Sequence, residues 1–125
     1  MSFHLFLDDE RIPAQGHWIL WSKFQASGNN PAEANRFDWI VARTCEEGQE
    51  AIETLGTPDH VQFDHDLATP RTGADFANLL IERALDGHGF PTSYDVHSQN
   101  PRGVENICGK MDGYLKHLNT KTEKG

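Results

Sequence analysis

Val61-Gln62-Phe63-Asp64-His65-Asp66-Leu67 is the stretch whose reading decides how this chain folds. A short apolar approach runs straight into two carboxylates flanking an imidazole, and a loop with Thr72-Gly73 then leads into a long helical pattern. In an extended segment the side chains alternate faces, so Asp64 and Asp66 share one direction and His65 takes the other, for as long as the strand lasts. A second acidic pair, Asp8-Asp9, directly follows the apolar run from Phe3 to Leu7, with Glu10 and Arg11 behind it. Two strand ends of such similar chemistry are expected side by side. Carboxylates about 4 Å apart repel by roughly 4 kcal/mol at an effective dielectric near 20, so four of them in one cleft require a divalent cation or bound protons.

Outward from these two points the chain alternates between strand and helix signals. After Leu7 the pattern is irregular as far as Asn35, broken by Pro13, Gly16, Gly28 and Pro31, with Trp18, Ile19, Leu20, Trp21 and Phe24 read as one apolar helical turn covering a sheet face. Phe37 to Ala42 makes a second strand. Thr44 and Glu47 have the spacing of a capping box for a helix from Cys45 to Leu55, stopped by Gly56. The third strand ends at Asp64. Thr72 with Asp75 opens the next helix, whose Phe76, Leu79, Leu80 and Ile81 are expected to be buried and which Gly87 and Gly89 end. Thr92 to Val96 forms the fourth strand and delivers His97-Ser98-Gln99-Asn100-Pro101. There Asn100 is placed to cap a helix and Pro101 is pre-shaped for its first turn. That helix carries the stripe Val104, Ile107, Met111, Tyr114, Leu115 and Leu118.

Alternating strands and helices predict an α/β domain with a mostly parallel sheet and right-handed crossovers. In such sheets ligands sit beyond the carboxyl ends of the strands. All three chemical clusters fall at carboxyl ends, after the first, third and fourth strands. One domain over residues 1–120, with 121–125 as a tail, suits the length of 125 residues. Nineteen acidic against eleven basic side chains give a formal charge of −8, which argues against binding long nucleic acid. Cys45 and Cys108 make no CxxC and read as reduced, packed thiols. No apolar run is long enough for a membrane span and Met1-Ser2-Phe3-His4 is no signal peptide, so a soluble, cytoplasmic protein is expected.

Asp8-Asp9, Asp64 and His97-Ser98 together resemble a response-regulator receiver domain, in which the first pair and the third-strand aspartate bind magnesium and a hydroxyl after the fourth strand contacts phosphate. The likeness breaks where no fifth strand ending in lysine follows. A closer resemblance is to the receiver-like family proposed to process cyclic phosphates, found in bacteria and phages. It rests on Leu7-Asp8-Asp9-Glu10-Arg11 with Pro13, on Phe63-Asp64-His65-Asp66-Leu67 with Thr72-Gly73 and Asp75, and on Val96-His97-Ser98 with Asn100-Pro101, Gly103 and Asn106. The resemblance implies a three-layer, receiver-like (flavodoxin-like) fold of strand order 2-1-3-4 without a clear fifth βα unit.

The expected activity is metal-dependent opening of a cyclic phosphate on a nucleotide or RNA end, in phage or bacterial RNA repair or defence. Asp8, Asp9, Asp64 and Asp66 are the expected ligands of Mg2+ or Mn2+, their oxygens favouring these ions over zinc. Asp64 or a water at the metal would attack, and His97 would protonate the leaving oxygen. His65 and Ser98 are further catalytic candidates. Arg11, Arg71, Arg102, Ser98 and Asn100 are the candidates to grip phosphate oxygens, near a helix start that favours anions. The alternative is a non-catalytic receiver-like module that binds a cyclic nucleotide or docks on a protein partner. His4, His17, His60, His88 and His117 belong to no constellation.

Overall fold

The computed structural model describes residues 3–28, 36–64, 71–97 and 101–124, with side chains described as far as residue 118. Its five strands are β1 (His4–Leu7), β2 (Trp18–Leu20), β3 (Trp39–Ala42), β4 (His60–Phe63) and β5 (Ser93–Val96). They form one parallel sheet in the order β2-β3-β1-β4-β5. The helices are α1 (Trp21–Ala26), α2 (Cys45–Leu55), α3 (Gly73–Leu85) and α4 (Pro101–Lys124).

The four expected strands keep their expected neighbours, since β3-β1-β4-β5 is the 2-1-3-4 order. The count was one short. Trp18–Leu20, expected to be part of a helical turn, is an edge strand that pairs with β3 in the register Trp18↔Trp39. Its start is fixed by the His17 carbonyl, which accepts from the N–H groups of Asp38 and Trp39 at 2.7 and 3.1 Å. The helical turn begins only at Trp21 and buries Trp21 and Phe24.

Local signals set most helix ends. Thr44 Oγ1 accepts from the Glu47 N–H at 3.0 Å, while the Glu47 carboxylate takes the N–H of Arg43 one residue before the cap. Gly56, at φ +93°, ends α2. Thr72 and Asp75 form a full capping box at the start of α3. The Asn100 cap lies outside the described residues. Helix α4 runs to Lys124, through most of the stretch read as a tail, with Ile107 and Met111 of its stripe buried.

Layering departs from expectation. Strand alternation puts Leu5, Leu7, Ile40, Ala42, Val61 and Phe63 on one face, and these pack into a single core with residues of all four helices. The helices line up on that face: Trp21 of α1 donates to Glu50 of α2 at 3.1 Å, Arg83 of α3 to the Ile52 carbonyl of α2 at 3.3 Å, and Tyr94 of β5 to Asp112 of α4 at 2.5 Å. Among the described residues there are two layers, where three were expected. The physical reason is the connection after β1. Residues 8–17, with Pro13 and Gly16, form no helix and return across the other face as an irregular crossover. Gly16 is at φ +90°, where any side chain is strained, and a Cβ there would lie 2.7 Å from Asp38 Oδ2. The face it crosses carries His4, Trp39, His60, Gln62, Ser93 and Asp95.

Gly73 supports the centre of the fold at the point where α3 touches the end of β4. A Cβ on it would lie 2.3 Å from the Asp64 carbonyl oxygen and 3.1 Å from Ile107 Cδ1. Gly73→Ala is therefore expected to cost about 1–3 kcal/mol, because backbone rather than a flexible side chain must shift. Denaturant titration measures this, and wild-type stability in the variant would mean that the helix does not approach Asp64 so closely.

Candidate functional site

The carboxyl ends of three strands meet through ladder bonds that continue one residue past each strand. Asp8 N–H donates to the Ala42 carbonyl, Asp64 N–H to Leu7 and His97 N–H to Phe63, at 3.0, 2.9 and 2.9 Å. Because the ladder persists, side-chain parity persists with it. Phe6 and Asp8, Gln62 and Asp64, and Asp95 and His97 all point toward the face opposite helices α1 to α4.

Asp8 is the pivot. Its residue is 0% exposed, the one buried charged residue among those described. Oδ1 accepts the backbone N–H groups of Glu10 at 3.0 Å and Arg11 at 2.8 Å, and Oδ2 lies 2.5 Å from His97 Nε2. Burial pushes the Asp8 carboxyl up, but the two backbone donors and the His97 ring outweigh it and hold the group below the usual carboxylate range. The far side of the His97 ring is also held: Nδ1 is 3.0 Å from Gln62 Nε2. A Gln62 N–H donated to Nδ1 puts the ring proton on Nε2, facing Asp8. The ring stacks on Phe6 with centroids 5.4 Å apart and planes at 29°.

One oxygen from each of Asp8, Asp9 and Asp64 lie within 4.8 Å of one another. An all-oxygen set of this kind fits a hard divalent cation. A carboxylate has about four lone-pair sites, and three of those on Asp8 are taken, so its Oδ2 is the atom left to contribute. Asp66, His65, Ser98 and Asn100 lie outside the described residues.

Of the cationic candidates, Arg11 lines a cleft beside His97. Arg71 instead reaches helix α2, donating to Gln49 at 3.3 Å and lying 3.8 Å from Glu46. Arg102 is exposed on the first turn of α4. The cleft, of about 540 Å³, lies between the 11–15 crossover and the sheet, with Phe6, Trp39, Gln62 and His97 as its floor. Neither cysteine takes part. Both are free, and burial pushes the Cys45 thiol up to about 11, which leaves it protonated and inert.

Three contributors escape the sequence reading. Gln62 was detectable as the one polar residue inside Val61-Gln62-Phe63. Arg43, whose Nη1 donates to the carbonyls of Asp8 at 3.2 Å and Arg11 at 2.5 Å, braces the acidic loop from β3. Nothing local marks it. Trp39 was read only as a strand residue.

Comparison with known proteins adds a family. A family model described as the cyclic-phosphate processing receiver domain matches residues 3–113. No curated protein matches. A solved structure in which a yeast Spc42 trimeric coiled coil is fused to another protein is 14% identical, with a TM-score of 0.49, over 99% of this chain and 85% of that one. A likeness at that level bears on nothing below.

Proposed function

The chain belongs to the cyclic-phosphate processing receiver domain family, and on that premise we propose that it is a metal-dependent phosphoesterase that opens a cyclic phosphate on a nucleotide or an RNA end. The observation that carries this reading is the junction of two chemistries at Asp8: the three-carboxylate group and the His97 imidazole share that one side chain.

Asp8, Asp9 and Asp64 would hold Mg2+ or Mn2+, which when bound neutralises phosphoryl oxygens. The remaining work falls to the chain itself. Asp8 accepts the His97 Nε2–H and fixes the ring, as the carboxylate does in a catalytic triad. Proton transfer then belongs to Nδ1, the nitrogen that exchanges partners. A water oxygen bonds to phosphorus as the ester P–O bond breaks. The bare Nδ1 takes the proton that the water loses, and the leaving oxygen takes that proton from Nδ1 as its bond to phosphorus breaks. Gln62 serves both ring states, because its amide offers N–H to a bare Nδ1 and C=O to a protonated one. Arg11, at the cleft wall, supplies a cation for the phosphate oxygens.

The test is incubation of the protein with cyclic mononucleotides and with RNA bearing a cyclic end, with Mg2+ or Mn2+ and with chelator. Ring-opened product that depends on metal is expected. Binding without opening under every condition would replace the enzyme by a sequestering module. The ion itself is tested by melting. Mg2+ at about a hundred times its dissociation constant stabilises by about 2.7 kcal/mol, so wild type should melt higher with metal and Asp64→Asn much less so. An equal rise in both proteins would remove the carboxylate group as a metal site.

A further inference from the structure

Resting on the reading above, we infer that the cleft beside His97 is a nucleobase subsite and that Trp39 determines its preference for base-bearing substrates. A volume of about 540 Å³ lies in the range of small-ligand pockets and is far more than a cyclic phosphate alone fills. Its lining combines the two chemistries of a nucleotide. His97 and Arg11 suit an anion, and Trp39, Ile12 and Pro13 suit a ring.

The floor from His97 to Trp39 is continuous. His97 stacks on Phe6, and Phe6 meets Trp39 edge-on at 5.6 Å and 88°. From behind, Trp39 is braced by His4 at 5.4 Å and His60 at 5.9 Å, so its ring is already held before a ligand arrives. His60 is itself tied to Ser93 Oγ at 2.8 Å. Opposite the floor stands Ile12, 48% exposed at the cleft wall, where its side chain is available to pack on a ring laid against the floor. The amides of Gln15 and Gln62 supply donors and acceptors for a base edge. No aliphatic polyol phosphate would use this combination. A chain of net charge −8 with one arginine in the cleft also suits a single nucleotide or a terminal one, not a longer polyanion.

The experiment compares binding of 2′,3′-cyclic nucleoside monophosphates with that of glycerol 1,2-cyclic phosphate, which has the same reacting group and no base. Calorimetry on wild type in Mg2+ should show the nucleotides binding about tenfold or more tightly, the increment that one base stacked on an aromatic ring supplies. In Trp39→Ala the ratio of the two affinities should fall toward one, and in Trp39→Phe most of it should return. Ile12→Ser, at an exposed position that cannot disturb the core, should lower the ratio as well, and it decides the matter should Trp39→Ala fail to fold. Equal affinities in wild type would overturn the subsite while leaving the phosphate site standing. If neither compound binds, the phosphate site falls and the subsite with it.

Discussion

His97→Ala is expected to open a cyclic phosphate at least about a hundredfold more slowly than wild type while remaining folded and able to bind metal. The magnitude follows from the role, since a positioned general acid contributes about 10²–10⁴ in rate. The geometry makes His97 a residue whose orientation is fixed on every side: Asp8 on Nε2, Gln62 on Nδ1 and Phe6 beneath the ring. Such complete positioning of one half-buried imidazole serves proton transfer better than packing. The fold should survive because the ring lies on the open face and the core closes beneath the other. The loss should appear in kcat with little change in KM, as expected for an interaction needed only as the bond breaks. Wild-type turnover in this variant would make His97 a structural residue.

How much of this was legible in the sequence depends on how local each cause is. Caps at Thr44 and Thr72 were readable because the cap and its partner are three residues apart. Two apolar runs that both stop at acid suggested that Asp8 and Asp64 lie side by side, and the ladder between β1 and β4 is what shows it. The strand at Trp18–Leu20 was not readable, because three residues carry too little periodicity, and only the bonds across to His17 and the neighbouring Trp39 decide it. The missing third layer was equally hidden. Pro13 and Gly16 announce a break, but whether a crossover lies over a face as a helix or as loose chain is settled by packing. The Trp39 and Gln62 environments depend on that crossover. For this reason the cleft beside the candidate site left no trace in any single stretch.

The acidic residues should also separate sharply in stability when metal is removed. Asp9→Asn in chelator is expected to melt slightly above wild type, because one charge leaves a group whose oxygens lie within 4.8 Å. At 4.8 Å or less each pair repels by about 3.5 kcal/mol or more at an effective dielectric near 20, and solvent and salt leave only a fraction of this. Asp8→Ala should do the opposite and lose about 3–5 kcal/mol, since it strips a buried charge from its partners. The backbone N–H groups of Glu10 and Arg11 and the ring of His97 would all be left without their acceptor. The pH dependence should carry the same signature. A carboxyl held below its unfolded value stabilises the fold above about pH 3.9, and that contribution is lost as pH falls through the lower folded value. Wild type should therefore show a loss of stability on acidification that Asp8→Ala lacks in part. Denaturant titration from neutral pH into acid, with chelator throughout, measures both effects. If Asp8→Ala and Asp9→Asn move stability in the same direction, Asp8 is one more repelling carboxylate and not the post to which the acidic loop and His97 are tied.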